Sequence, residues 1–202
     1  MANEPKVEAD LDRNPMMNYF KNCNKEYALA LPVLNKISKK VLSLQGYKLN
    51  EGIATGMKEG LATQKRLITT VVFDNNGMSD QAMSTVIEGL ATQEFTKSIT
   101  LILNEFGEKS LASLIPILQR KKPKNLEELR LIYCKTNSSV ITSLIEEMSE
   151  EQCFLKKLSL VNMQLNDNSF RHLQNLIENN RNLKEIDISS NSLKKAGMLK
   201  LL

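Results

Sequence analysis

Apolar residues recur along this chain in two alternating periods. The first is a period of two, in the pairs Leu42/Leu44, Val71/Phe73, Ile99/Leu101, Leu129/Leu131, Leu158/Leu160 and Ile186/Ile188. Each pair predicts a short strand with one buried face. Behind most pairs the spacing changes to four, as in Ile53, Met57, Leu61 and again in Ala82, Val86, Leu90. Val140, Leu144, Met148 and Ser169, Leu173, Ile177 continue the series. That spacing predicts an amphipathic helix lying behind its strand.

The clearest copy of the unit is Leu183-Lys184-Glu185-Ile186-Asp187-Ile188-Ser189-Ser190-Asn191-Ser192-Leu193, which reads L-x-x-L-x-L-x-x-N-x-L. Five earlier stretches repeat it imperfectly. Registered on the final apolar position, they fall at Leu49, Met78, Phe106, Thr136, Leu165 and Leu193, at intervals of 29, 28, 30, 29 and 28 residues. Glu59-Gly60-Leu61-Ala62-Thr63-Gln64 also returns unchanged as Glu88-Gly89-Leu90-Ala91-Thr92-Gln93. Self-similarity at such a period is the signature of a repeat architecture, in which each strand–helix unit buries its apolar face against its neighbours.

The L-x-x-L-x-L-x-x-N-x-L stretch and the full helix in a unit of 28–30 residues resemble the ribonuclease-inhibitor-like class of leucine-rich repeats. The last unit, Leu193-Lys194-Lys195-Ala196-Gly197-Met198-Leu199-Lys200-Leu201, resembles that class closely where Ala-Gly enters the helix. The resemblance covers residues 37–202. It implies an α/β solenoid, or horseshoe, of about six strand–helix repeats with a parallel sheet on the concave face. That class consists mostly of binding scaffolds, so the resemblance implies a scaffold and is unspecific about what it binds. The Asn position is occupied by Tyr47, Asn76, Asn104, Cys134, Met163 and Asn191, so the ladder of buried amides is expected to break at repeats one, four and five. Pro116 falls inside the third repeat helix and is expected to kink or shorten it.

Residues 1–13 are polar and aperiodic and read as a flexible tail. Asn14-Pro15 has the form of an N-cap followed by a first-turn proline. Met16, Phe20, Cys23 and Tyr27 follow as one apolar stripe, with Pro32 as the stop. A helix over 14–31, within a cap region 14–36, would cover the open edge of the first repeat. The repeat domain then occupies 37–202. It ends within the sixth repeat, with Leu199, Leu201 and Leu202 at an edge that further chain or a partner would cover.

Composition narrows the function classes. The chain is 42% hydrophobic and 25% charged, with 5% aromatic residues and no Trp, so its core is aliphatic. A net charge of +4 is too mild for a nucleic-acid binder. Three cysteines without C-x-x-C spacing and a single His argue for a reduced, cytoplasmic protein without a histidine-based metal cluster. No apolar run approaches the roughly 20 residues that span a bilayer. Asp74-Asn75-Asn76-Gly77 lacks the alternating oxygen ligands and distal Glu of a calcium loop, and no phosphate-binding G-x-x-x-x-G-K-[ST] occurs. Neither the lone His172 nor Cys134, read as a buried thiol, joins a set that could act as nucleophile and base. The reading is therefore non-enzymatic, with no cofactor, small-molecule substrate or membrane partner.

Residues between the buried strand positions point into the concave face. Ile102, Ile132 and Val161 should lie side by side about 4.8 Å apart, with Leu103 and Tyr133 extending the same area. Glu128, Arg130 and Lys157 flank it, together with Glu185 and Asp187. An apolar centre with a charged rim is the composition of a protein-binding surface. Arg120-Lys121-Lys122-Pro123-Lys124 is the one dense basic run and reads first as a solvated loop complementing a helix C-terminus. The join from Tyr19-Phe20 through Leu42-Ser43-Leu44-Gln45-Gly46-Tyr47-Lys48-Leu49 resembles leucine-rich-repeat proteins of ciliated and flagellated protists. That resemblance implies a structural component of a ciliary, axonemal or cytoskeletal assembly. The repeat class also includes Ran GTPase-activating proteins, which implies regulation of a small GTPase as the alternative.

Overall fold

A computed structural model describes residues 14–26, 28–29, 33–38, 40–63, 67–150 and 153–194. The expected tail at 1–13, the positions of Tyr27, Leu31, Pro32 and Gln64, and the sequence after Lys194 lie outside these residues. So do the leucines expected at the uncovered edge.

The first five apolar pairs lie within strands and the four-spaced series within helices, while the last strand ends at Asp187, before Ile188, and the last helix begins at Phe170, after Ser169. After α1 (Pro15–Lys25) come β1 (Ile37–Ser38) and β2 (Val41–Gln45). The repeats continue as α2 (Glu51–Ala62), β3 (Thr70–Asp74), α3 (Asp80–Ala91), β4 (Ser98–Ile102) and α4 (Glu108–Leu118). They run on through β5 (Glu128–Ile132), α5 (Ser138–Met148), β6 (Lys157–Val161), α6 (Phe170–Asn179) and β7 (Glu185–Asp187). The strands form one open sheet in sequence order, antiparallel between β1 and β2 and parallel from β2 to β7. This is the leucine-rich-repeat solenoid.

The strand pairs Leu42/Leu44, Val71/Phe73, Ile99/Leu101, Leu129/Leu131 and Leu158/Leu160 are buried, as are the helix positions facing them. Each such side chain contributes about 1.5–3 kcal/mol through burial. Ile186 departs from its series: it is paired with Leu158 but 36% exposed.

Two local expectations change, both in α1. α1 starts as expected, with Asn14 accepting from the Met16 and Met17 N–H groups at 2.9 and 3.4 Å, but it ends at Lys25, well before Pro32. Its buried face is Tyr19 and Cys23 with Met16 beside them, while Phe20 turns to the flank and is 39% exposed. Phe20 also stands four residues from Met16 and three from Cys23, so helical spacing alone does not choose between it and Tyr19; the close approach of Tyr19 and Cys23 to Gly56 does. Pro116 sits in the last turn of α4, which continues to Leu118 and loses one residue relative to α3.

The helices lean on one another through glycine. A Cβ at Gly56 in α2 would stand 2.5 Å from Cys23 Sγ, and one at Gly89 in α3 would stand 2.7 Å from the Lys58 Cα. Hydrogen bonds between repeats complete the helix ends. Asp80 accepts from the N–H groups of Gly107, Lys109 and Ser110 at 2.8, 3.1 and 3.0 Å, and from the Ser110 hydroxyl. It thereby caps α4, whose own N-cap residue, Gly107, has no side chain to offer. At the opposite end, the Gln93 amide donates to Leu61 O at 2.7 Å, Arg120 to Ala91 O and Gln93 O, and Asn180 to Met148 O.

Candidate functional site

The backbone pairing places the expected residues in columns across the concave face. Asp74, Ile102, Ile132 and Val161 are consecutive register partners, as are Thr100, Arg130 and Ser159, and Ser98, Glu128 and Lys157. Ile102, Ile132 and Val161 are part-exposed neighbours at the C-terminal ends of β4, β5 and β6. Leu103 and Tyr133 stand immediately beyond them at 51% and 48% exposure. Their side chains help to line a hollow of about 440 Å3 with Met78, Asn104, Glu105 and Lys135.

The charges around this strip pair among themselves. Arg130 Nε and Nη2 both lie 2.7 Å from Glu128 Oε1, and the Ser98 hydroxyl donates to Glu128 Oε2 at 3.0 Å. Lys157 meets Glu185 at 2.8 Å, and Lys135 meets Glu105 at 2.8 Å. The N–H and hydroxyl of Ser189 hold the Asp187 carboxyl below the usual range, helped by the Arg130 charge. Exposed pairs of this kind contribute little to stability. Their effect is to leave the strip between them apolar and uncharged.

A feature not anticipated from sequence concerns the position after each strand. Gly46, Asn75, Leu103, Tyr133, Asn162 and Ser190 all take the left-handed backbone, with φ between 50° and 69°. The architecture imposes it. In that conformation the N–H groups of Gly46, Asn75, Leu103, Tyr133 and Asn162 donate to Asp74, Ile102, Ile132, Val161 and Ser189 carbonyls at 2.9–3.1 Å. Gly and Asn adopt this conformation readily, whereas a bulky L-residue is disfavoured by about 1–2 kcal/mol. Leu103 and Tyr133 accept that cost in adjacent repeats and leave their side chains half in solvent. The sequence signal was available: these two break a column otherwise made of Gly, Asn and Ser.

The buried polar column also differs from the sequence reading. Asn104 Nδ2 donates to Phe73 O and Ile102 O at 3.2 and 2.9 Å, while its Oδ1 accepts from the Asn76 and Met78 N–H groups. Asn191 repeats this arrangement with Leu160 O, Ile188 O, Met163 N–H and Leu165 N–H. At Cys134 the ladder is not lost on the donor side. Its thiol lies 3.3 Å from Leu101 O and 3.7 Å from Ile132 O, the carbonyls equivalent to those Asn104 contacts. Burial pushes the Cys134 thiol up, away from the thiolate a nucleophile would need. His172 lies 3.1 Å from Glu146 on the convex side, away from the strip.

Among the described residues no group of three or more His, Cys, Asp or Glu is placed to hold a metal ion, and no helix is long and apolar enough to cross a membrane.

No family model matches the chain. It is similar to the ribonuclease inhibitor of Mus musculus, at 28% identity over 164 residues covering 79% of this chain and 35% of that protein. It is also similar to NACHT, LRR and PYD domains-containing protein 5 of Mus musculus, 22% identical over 190 residues, covering 80% of this chain and 16% of that protein. NLR family CARD domain-containing protein 4 of Rattus norvegicus is 33% identical over 98 residues, which is 47% of this chain and 9% of that protein. The chain spans about a third or less of the length of each of these relatives. Both groups, the ribonuclease inhibitor and the NLR proteins, are leucine-rich-repeat families.

Proposed function

We propose, from the premise that the chain is a ribonuclease-inhibitor-like leucine-rich-repeat solenoid, that it is a non-enzymatic scaffold whose concave face binds another protein. The observation that carries the reading is the pair Leu103 and Tyr133, held half-exposed on a left-handed backbone where smaller residues serve the fold better. Strained residues that the fold does not require are candidates for function. The binding strip is Ile102, Leu103, Ile132, Tyr133 and Val161, with Glu128, Arg130 and Lys157 as its polar rim. A rigid strand surface binds with little ordering cost, and aromatic and aliphatic anchors at its centre dominate the affinity.

The test is photo-crosslinking from position 133 in the native cell extract, followed by mass spectrometry, with the convex position Ser143 as reference. A partner captured from position 133 and not from 143 is expected. Ile132→Glu should abolish that capture while leaving the thermal midpoint nearly unchanged. Unaltered capture by Ile132→Glu would refute the site.

Placement of the scaffold in a ciliary, axonemal or cytoskeletal assembly rests on the resemblance of its first repeat to protist proteins. Co-sedimentation with isolated axonemes tests it. The alternative, regulation of a small GTPase, predicts faster GTP hydrolysis when the chain is added to Ran-type GTPases, and the scaffold reading predicts no change.

A further inference from the structure

The basic run at 120–124 has a different environment from the solvated loop its composition suggests. It lies on the edge of the solenoid where helices return to strands, and it reaches both neighbouring repeats. Lys122 Nζ sits 5.2 Å from the centre of the Phe154 ring, and Lys124 Nζ sits 5.8 Å from that of Phe95. Phe95 and Phe154 occupy the same register position, four residues before Ile99 and Leu158, so they stand two strand spacings apart, about 10 Å. Both rings remain accessible, Phe95 at 40%. The loop between them is pinned from beneath: Arg120 donates to Ala91 O and Gln93 O, Lys124 pairs with Glu94, and Lys97 donates to the Pro123 and Asn125 carbonyls. Lys121 and Lys122 are left exposed with no carboxylate partner among the described residues. The result is a fixed cationic ridge flanked by two accessible aromatic rings.

We propose that this edge is a second binding surface, separate from the concave strip, and that it takes an acidic, extended segment of a partner protein. Carboxylates of such a segment would meet the ammonium groups of Lys121 and Lys122, and an apolar side chain would lie against Phe95 or Phe154. The chemistry favours a peptide over a nucleic acid. A lysine of the protein already sits over one face of each ring, which leaves room for a single apolar side chain and not for bases stacked on both faces. Glu94, Glu127 and Glu150 on the same edge would oppose a continuous phosphate backbone, whereas a peptide can space its charges between them.

Fluorescence anisotropy tests this with a fluorescein-labelled, glutamate-rich peptide carrying one leucine, and with single-stranded oligothymidylate of equal length. The intact chain should bind the peptide, more weakly as salt rises. The Lys121→Glu/Lys122→Glu variant should bind it on the order of tenfold more weakly or less, with the thermal midpoint unmoved. Ile132→Glu should retain peptide binding, which separates this surface from the concave one. Absent peptide binding at low salt, equal binding by the lysine variant, loss in Ile132→Glu, or tighter binding of the oligonucleotide would each overturn the proposal.

Discussion

A Cβ placed on Gly56 would stand 2.5 Å from Cys23 Sγ, 2.9 Å from the Tyr19 carbonyl oxygen and 3.1 Å from the Tyr19 ring. Ordinary contact distances are about 3.5–4 Å, so Gly56→Ala requires α1 and α2 to part by roughly 1 Å. A gap of that size forfeits a quarter to a half of the dispersion attraction along the joint. Overpacking strain of about 1–3 kcal/mol opposes the gain of about 1 kcal/mol that Ala brings to a helix interior. The net loss should fall on the docking of α1, because Tyr19 and Cys23 are its fully buried anchors. A loss of about 1.4 kcal/mol multiplies the opened population tenfold. Cys23 reports that opening directly: its thiol is completely buried, and burial pushes it up despite the Tyr19 hydrogen bond. Cys134 and Cys153, both 4% exposed, serve as internal references. In Gly56→Ala, maleimide labelling followed by peptide mass spectrometry should show Cys23 modified several-fold faster, with Cys134 and Cys153 unchanged. Unchanged labelling at Cys23, or a stabilised protein as at an open helical glycine, would refute the close-joint account.

Two further substitutions examine other features. Tyr133→Asn exchanges about 1–2 kcal/mol of left-handed backbone cost for the burial lost with a half-exposed ring, about 2 kcal/mol at most. Thermal unfolding should therefore move by no more than a few degrees, while partner capture from a crosslinker placed instead at position 103 is lost. Asp80→Ala removes the inter-repeat cap of α4 and should cost about 1–2 kcal/mol at neutral pH. Burial alone would raise the Asp80 carboxyl, but hydrogen bonds from the Ser110 hydroxyl and the Ser110, Gly107 and Lys109 N–H groups outweigh it and hold it low. A carboxyl lower in the folded than in the unfolded chain contributes stability above about pH 4 that is lost as pH falls through its folded value. Denaturation of the two proteins compared from pH 7 downward should show their difference shrinking below about pH 4.

The repeat phase and strand positions were legible because each unit is specified locally: alternating apolar residues set the strand, four-spaced ones the helix. The register of Ile102, Ile132 and Val161 followed from the same phase. What escaped depends on geometry between repeats. Gln93, Arg120 and Asp80 read as surface polar residues until the neighbouring helix end that each satisfies, 27 to 32 positions away, is in place. Tyr19 replaced Phe20 as an α1 anchor because only the packing on Gly56 decides which of two adjacent aromatics turns inward. The left-handed cost at Leu103 and Tyr133 shows in the sequence only once the position after each strand is aligned across repeats, where these two interrupt a column of Gly, Asn and Ser.

The exchange of caps between repeats bears on how such a chain can change length. The second, third and fifth repeats each hold a donor for the end of the helix before them, so such a repeat is a link rather than a bead. Gln93 and Arg120 serve the same kind of helix end with different side chains, one an amide and the other a guanidinium. A single repeat copied or excised therefore meets a neighbour tailored to another partner and leaves two mismatched seams. Pairs of repeats that already fit one another, such as the two carrying Glu-Gly-Leu-Ala-Thr-Gln, are the segments that could be duplicated with an intact seam between them.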